Sequence, residues 1–280
     1  MSNHAAADKL LIINQENSPI NLRKILISPP STGVEDRGNN ILHFNSANRG
    51  YEGRNASATE FVKTELVNAE ALESDSEILQ FAVRKAREFR QQKKGTYLEF
   101  GFCTGRTINF IAALAYYTDV WGFDSCEGLP EDWRGHFEKE KFKMILHPDN
   151  SGLPYIPFVP LANVKLVIGE ISKTLPVFIR TRLEAEQHVE LLHIDTDIYR
   201  SAKTVYRELD DRIVPGVTVV VLDEGYNYFY DERLDKGESE WKEHEYKATH
   251  EFARRKGYRV EYLAYNKTHQ QLVLRFMNGR

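Results

Sequence analysis

Five short apolar runs, TYLEF, DVWGFDS, VKLVIGE, VELLHIDTD and VTVVVLDE, recur between positions 96 and 224 with helical patterns among them. Their Val, Leu and Ile residues are nearly continuous rather than alternating, which suits strands covered on both faces by helices, as in a parallel sheet. The pattern predicts a doubly wound α/β domain. The ending differs. After the helical stretch HEYKATHEFARRKG come YRVEYLAYN and HQQLVLRF, joined by a turn too short for a crossover helix. These last two strands are expected to form an antiparallel hairpin. Ahead of the first strand, SDSEILQFAVRKAREFRQQKKG offers a capping Ser or Asp, apolar residues at Ile78, Leu79, Ala82, Val83 and Ala86, and a basic end closed by Gly95. This is the pattern of an amphipathic helix.

Residues 1–74 lack such periodicity. They carry a breaker, SPPSTG, at 28–33 and the Gly/Asn-rich tract EDRGNN, so a loop-rich arm is expected there, with the main domain over 75–280. Lys and Arg total 37 against 41 Asp and Glu, which leaves no basic field to draw in nucleic acid or an anionic membrane. No apolar run reaches the roughly 18 residues a membrane span needs, and the N-terminus lacks a signal-peptide pattern, so a cytoplasmic protein is expected. Cys103 and Cys126 are too few for a disulfide framework and are read as free buried thiols. The sequons at Asn55 and Asn266 are read as chance matches.

In an open α/β sheet, ligands sit beyond the carboxyl ends of the strands. Seven carboxylates fall at those ends: Glu99, Asp124, Glu170, Asp195, Asp197, Asp223 and Glu224. Clustered on one rim they would repel one another severely without bound cations. The turn GFCTG lacks the third glycine of a dinucleotide fingerprint, so it would cradle a pyrophosphate poorly. A ligand bearing an ammonium and a sulfonium suits Glu99 better, and S-adenosylmethionine (SAM) is such a ligand. Asp124, ending the second strand, is placed to accept from ribose hydroxyls. A parallel sheet closed by an antiparallel hairpin is also the element order of class I SAM-dependent methyltransferases. Asp195, Asp223 and Glu224 come from the ends of two strands expected to be neighbours, and an all-oxygen set of this kind prefers Mg²⁺, or else Mn²⁺ or Ca²⁺. A cation there would orient a diol and lower the pKa of the attacking hydroxyl. Asp197 shares a strand face with Asp195 and is the candidate general base, with helix capping as its alternative role.

The blocks YLEFGFCTGRTINFIA, WGFDSCEGLPEDWRGHF, VIGEISKTLP, LLHIDTDIYRSAKTVYRELDDRIVPGVTVVVLDEGYNY and EYKATHEF together resemble the macrocin O-methyltransferase family, the TylF/MycF-type enzymes that methylate sugar hydroxyls on antibiotics. The resemblance spans residues 75–276. It implies a Rossmann-like class I methyltransferase fold, SAM as donor, Mg²⁺ dependence, and a homodimer or larger homo-oligomer. By the same resemblance the metal ligands fall on Asp195, Asp223 and Glu224, and the base on Asp197. The cofactor contacts fall on Glu99, Gly101, Phe102, Thr104, Asp124, Ser125 and Asp195, with Gly169, Ile171 and Ser172 at the adenine. The N-terminal arm is where an acceptor-covering cap is expected. Glu224 stands where the family commonly has a second Asp, and Cys126 where it commonly has Phe.

Aromatic and polar residues in two loops, Trp133 and His136 in one, Tyr226 and Asn227 in the other, are candidate acceptor contacts, while Trp241 and Tyr246 read as structural. His193 reads as a satisfied core histidine. Two other functions fit the same residues: a catechol or phenol O-methyltransferase with the same donor and metal, and a SAM-binding biosynthetic partner without turnover.

Overall fold

The structure, a computed structural model, describes residues 10–13, 56–91, 95–134, 137–144, 156–227 and 240–279. From Asp75 onward the expected order of elements is found. It comprises α2 (Asp75–Phe89), β3 (Thr96–Phe100), α3 (Arg106–Leu114), β4 (Val120–Asp124), β5 (Val164–Ile168), α4 (Ile171–Arg182), β6 (Val189–Ile194), α5 (Tyr199–Glu208) and β7 (Val219–Leu222). A 3-10 turn (Glu240–Glu243), α6 (Glu245–Lys256), β8 (Tyr258–Asn266) and β9 (Leu272–Asn278) complete it. The arm adds β1 (Leu11–Ile13), α1 (Ala56–Thr64) and β2 (Glu70–Leu72).

The nine strands among the described residues join one sheet in the order β1-β5-β4-β3-β6-β7-β9-β8-β2. Strands β3 to β7 pair in parallel, and β9 runs antiparallel to both β7 and β8. The chain winds outward from β3 through β4 to β5, then crosses back to lay β6 on the other side of β3. That reversal makes the carboxyl ends of β3 and β6 the switch point of the sheet, the place where open α/β sheets take ligands. Two short edge strands were not anticipated: β1 lies antiparallel on β5, and β2 lies parallel on β8.

The near-continuous apolar runs are explained by burial on both faces, with every residue of β3 and β6 buried. One face packs Ile78, Leu79 and Ala82 of α2 and Ile108 and Ile111 of α3 against Tyr97, Leu191 and Val221. The other packs Phe178 of α4, Val205 and Tyr206 of α5 and Phe252 of α6 against Leu98, Leu192 and Val220. Helix α2 starts as its sequence predicts: the Ser74 hydroxyl accepts from the Glu77 N–H (3.3 Å), and the Glu77 carboxylate accepts from the Glu73 N–H (2.7 Å). A third cluster, with Phe61 of α1, Trp241 and Leu272, ties the arm to the hairpin. Asn266 is fully buried, its amide donating to Gln271 (2.8 Å), so its sequon is inaccessible. Among the described residues no helix is long and apolar enough to cross a membrane.

Candidate active site at the β3–β6 switch point

The switch point is built on a glycine. Gly101 follows β3 with φ +92°, donates its N–H to the Phe123 carbonyl (2.8 Å), and sits against the Asp195 backbone so closely that a Cβ would overlap the Asp195 carbonyl. The Asp195 N–H donates to the Phe100 carbonyl (2.9 Å), so the turn after β3 and the turn after β6 are held side by side. Gly105, also at positive φ, is the N-cap of α3. Asp124 ties this turn to the next strand. One of its oxygens accepts from the Cys103 N–H (3.0 Å) and the other from the Cys126 N–H (2.7 Å). Burial pushes the Asp124 carboxyl above its usual pKa, and those two N–H groups act against it.

The other cofactor candidates line the same rim. The Gly169 N–H donates to the Asp124 carbonyl (2.9 Å), and the Ser172 hydroxyl donates to the Glu170 carboxylate. Ile171 is half-buried at the start of α4, the Ser125 hydroxyl accepts from the Glu127 N–H (3.1 Å), and Thr104 is exposed. Phe102 is different: its ring is in the core, edge-on to Phe158, so only its backbone reaches the rim. Cys126 is buried in the same core, Cys103 half-buried, and both are free thiols.

Glu99 requires a correction. Its side chain is 0% exposed, one oxygen accepts from the Thr107 hydroxyl (2.9 Å), and the other lies 3.1 Å from His193 Nδ1. Strand alternation puts Glu99 on the same face as Tyr97, beneath the first turn of α3, where an incoming ammonium cannot reach it. His193, directly across on β6, is also fully buried. Burial alone would depress its pKa, but the Asp223 and Glu99 carboxylates hold it well above the usual value. Its Nε2 is 3.8 Å from Asp223 Oδ1, an ion pair too long to be a hydrogen bond. Asp223 also accepts from the Gln271 amide (3.1 Å); burial would raise its pKa, yet the His193 charge outweighs that and holds it at about 2.

The strand-end carboxylates do converge, with donors grouped differently from the expected triad. Ligand atoms of Asp195, Asp197 and Glu224 lie within 4.8 Å of one another, and so do those of His193, Asp195 and Asp223. Asp223 and Glu224 therefore fall in separate groups joined through Asp195, and Asp197 sits among the donors. Glu224 is 4% exposed; its Oε1 accepts from the Gln270 amide (2.9 Å) while its buried Oε2 has no hydrogen-bond partner. Burial and then the negative charge of Asp223 push Asp195 and Glu224 well above the usual carboxylate pKa. Asp197 is raised to about 7 by burial and Asp223, with the Arg134 guanidinium opposing. Such a group needs protons or a cation to neutralise it, and its oxygen donors, one of them orphaned, fit a hard divalent ion.

Glu245, the first residue of α6, is a site residue that the sequence reading missed. It is fully buried; Oε1 accepts from the Thr196 N–H (2.8 Å) and Oε2 from the Glu224 N–H (3.3 Å), so one carboxylate fastens the loops after β6 and β7 together. Burial and the charges of Asp223 and Asp197 raise its pKa to about 8. Glu245→Ala would strip both buried N–H groups of their acceptor at about 1–3 kcal/mol each. A lowered thermal midpoint is expected, with a smaller drop for Glu245→Gln, which keeps an acceptor oxygen.

Comparison with solved structures agrees with this architecture. The chain shares its fold with CalS11, a calicheamicin methyltransferase. The two are 19% identical over 72% of this chain and 78% of CalS11, with a TM-score of 0.53. The O-methyltransferase NovP aligns at 18% identity over 73% of this chain and 79% of its own, with a TM-score of 0.43. No family model matches the chain. No curated protein matches it either. At these identities the likeness to CalS11 is one of fold, the Rossmann-like methyltransferase fold.

The acceptor candidates separate. Tyr226 is fully buried, its hydroxyl donating to the Asn266 carbonyl (2.6 Å) and its ring edge-on to Tyr265, so it is a core residue with no face open to an acceptor. Trp133 is also buried, in the cluster with Phe137, and the Arg134 guanidinium lies 4.5 Å from its ring centroid. Asn227 holds a left-handed conformation (φ 48°) and its buried Oδ1 has no hydrogen-bond partner. His136 lies outside the described residues. Trp241 is fully buried against Phe61 and Tyr246.

Proposed function

We propose that the protein is a cation-assisted O-methyltransferase that moves the methyl group of SAM to a hydroxyl of a sugar on a natural product or related saccharide. The observation that carries this reading is the convergence of Asp195, Asp197 and Glu224 at the switch point, next to the Gly101 turn, with one buried carboxylate oxygen left without a partner. The fold shared with CalS11, which is by its name a calicheamicin methyltransferase, supports methyl transfer and a natural-product acceptor.

The roles follow from the residues. Asp124 would accept from the ribose hydroxyls with the lone pairs its two backbone contacts leave over, the turn from Gly101 to Thr104 would meet the donor through its backbone, and Gly169, Ile171, Ser125 and Ser172 would border the adenine. Asp195 takes over from Glu99 as the carboxylate beside the methionine end. Asp195, Asp223 and Glu224 would hold the ion. When bound, SAM supplies a sulfonium-activated methyl group, and Mg²⁺ or Mn²⁺ supplies charge that orients the acceptor oxygens and acidifies the hydroxyl. Asp197 would take the proton of the acceptor hydroxyl as it is methylated. A base with a pKa near 7 suits this step at neutral pH. Asn227 offers a hydrogen-bond acceptor to a neighbouring hydroxyl of the same sugar.

Calorimetric titration of SAM in Mg²⁺ and in EDTA, followed by transfer assays with sugar-bearing acceptors, tests the reading. SAM is expected to bind in both buffers and transfer to occur only with metal. Failure of SAM to bind in either would overturn it.

A further inference from the structure

We propose that His193, through Nε2, is a direct ligand of the cation held by Asp195 and Asp223, so that the site takes a first-row transition ion such as Mn²⁺ in preference to Mg²⁺. This rests on the cation-dependent reading above and adds a nitrogen donor that an all-carboxylate site lacks.

Four observations converge. First, His193 and Asp195 are two residues apart, sharing one face at the end of β6, and one ligand atom each of His193, Asp195 and Asp223 falls within 4.8 Å of the others. Second, His193 Nε2 is fully buried and has no hydrogen-bond partner, a costly arrangement unless something else engages it. Third, the 3.8 Å between Nε2 and Asp223 Oδ1 exceeds a hydrogen bond, yet two bonds of about 2.1 Å to one shared ion can bridge it. Fourth, the other ring nitrogen, Nδ1, is bonded to Glu99 (3.1 Å), and Glu99 is fixed from its far side by the Thr107 hydroxyl (2.9 Å). Metal-ligating histidines almost always donate their second ring N–H to a carboxylate, a backbone carbonyl or water, which sets the tautomer and aims the free lone pair at the ion. The carboxylate that fails to face the cofactor thereby gains a role.

On binding, the ion replaces the Nε2 proton, which leaves to solvent, and the imidazole lone pair forms the new bond. Imidazole with carboxylates suits transition ions, whereas Mg²⁺ favours oxygen ligands and water. Glu99 is then a positioning residue. It touches neither the ion nor the acceptor.

The test is Mn²⁺ binding to the full-length protein, followed by electron paramagnetic resonance, with pulsed spectra searched for ¹⁴N coupling. One tight site with imidazole nitrogen coupling is expected in the wild type. His193→Gln should lose the coupling and bind Mn²⁺ at least about 10-fold more weakly, and Glu99→Gln should lose about 10-fold while keeping the coupling. Bound Mn²⁺ without nitrogen coupling in the wild type would overturn the proposal and leave an all-oxygen site, with the methyltransferase reading intact; this arm needs no variant to fold. Absence of any Mn²⁺ binding, with or without SAM, would remove both the ligand and the cation-dependent reading.

Discussion

Asp197→Asn is expected to lower turnover by about 10²–10⁴-fold, the usual contribution of a positioned base, while leaving SAM affinity and the thermal midpoint unchanged. The local conformation favours a clean test. Asp197 sits in the left-handed region (φ 62°), which Asn tolerates as well as Asp does, and the amide removes a negative charge from a crowded carboxylate group rather than adding one. What the amide cannot do is take a proton. Burial and Asp223 raise the Asp197 pKa to about 7 against the pull of Arg134. A base works only when ionised, so wild-type kcat/KM should rise with pH along an acid limb centred at or below about 7, since a nearby bound cation favours the carboxylate. The variant should lose that limb. Equal turnover in the two proteins would leave Asp197 as no more than a loop residue.

How much of this was legible in the sequence depended on whether a feature was local. The five central strands announce themselves because burial on both faces demands continuous Val, Leu and Ile, and the short turn between YRVEYLAYN and HQQLVLRF permits only a hairpin. Strands β1 and β2 carry no such mark. At three residues each they are specified by the sheet edges that receive them rather than by their own pattern. The carboxylates at strand ends could be located from the strand assignments, but how they group could not, because Asp223 and Glu224 are adjacent in sequence yet join different donor groups that meet at Asp195. Glu245 was invisible for a related reason: it opens a helix distant in sequence from both loops it fastens, and in the chain it looks like any acidic residue in a first helical turn. Glu99 and Tyr226 mislead in the opposite sense. Each has a polar group in the right stretch of sequence, and each has that group taken up by a buried partner, Thr107 and His193 for one and the Asn266 carbonyl for the other.

Gly101→Ala should be far more damaging than its size suggests. The methyl group would lie on the Asp195 carbonyl oxygen and 2.8 Å from the carbonyl carbon, and both are backbone atoms that no rotamer change can move aside. Neither side can retreat. The Gly101 N–H is bonded to the Phe123 carbonyl on one flank, and the Asp195 N–H is bonded to the Phe100 carbonyl on the other, so relief means parting β3 from β6 at the centre of the sheet. Left-handed conformation adds about 1–2 kcal/mol of its own for a residue with a Cβ. A total above about 4 kcal/mol is expected, a large share of the 5–15 kcal/mol that holds a typical domain together. The variant should be recovered largely insoluble, or with its thermal midpoint lowered by more than about 10 °C. Gly257→Ala and Gly216→Ala separate the two causes. Both positions have positive φ (68° and 77°) and no atom within 4 Å of where a Cβ would sit, so they carry the conformational cost without the collision. If Gly101→Ala proved no worse than these controls, the close approach of β3 to Asp195 would be refuted, and with it the geometry that gathers the cofactor turn and the carboxylates at one switch point.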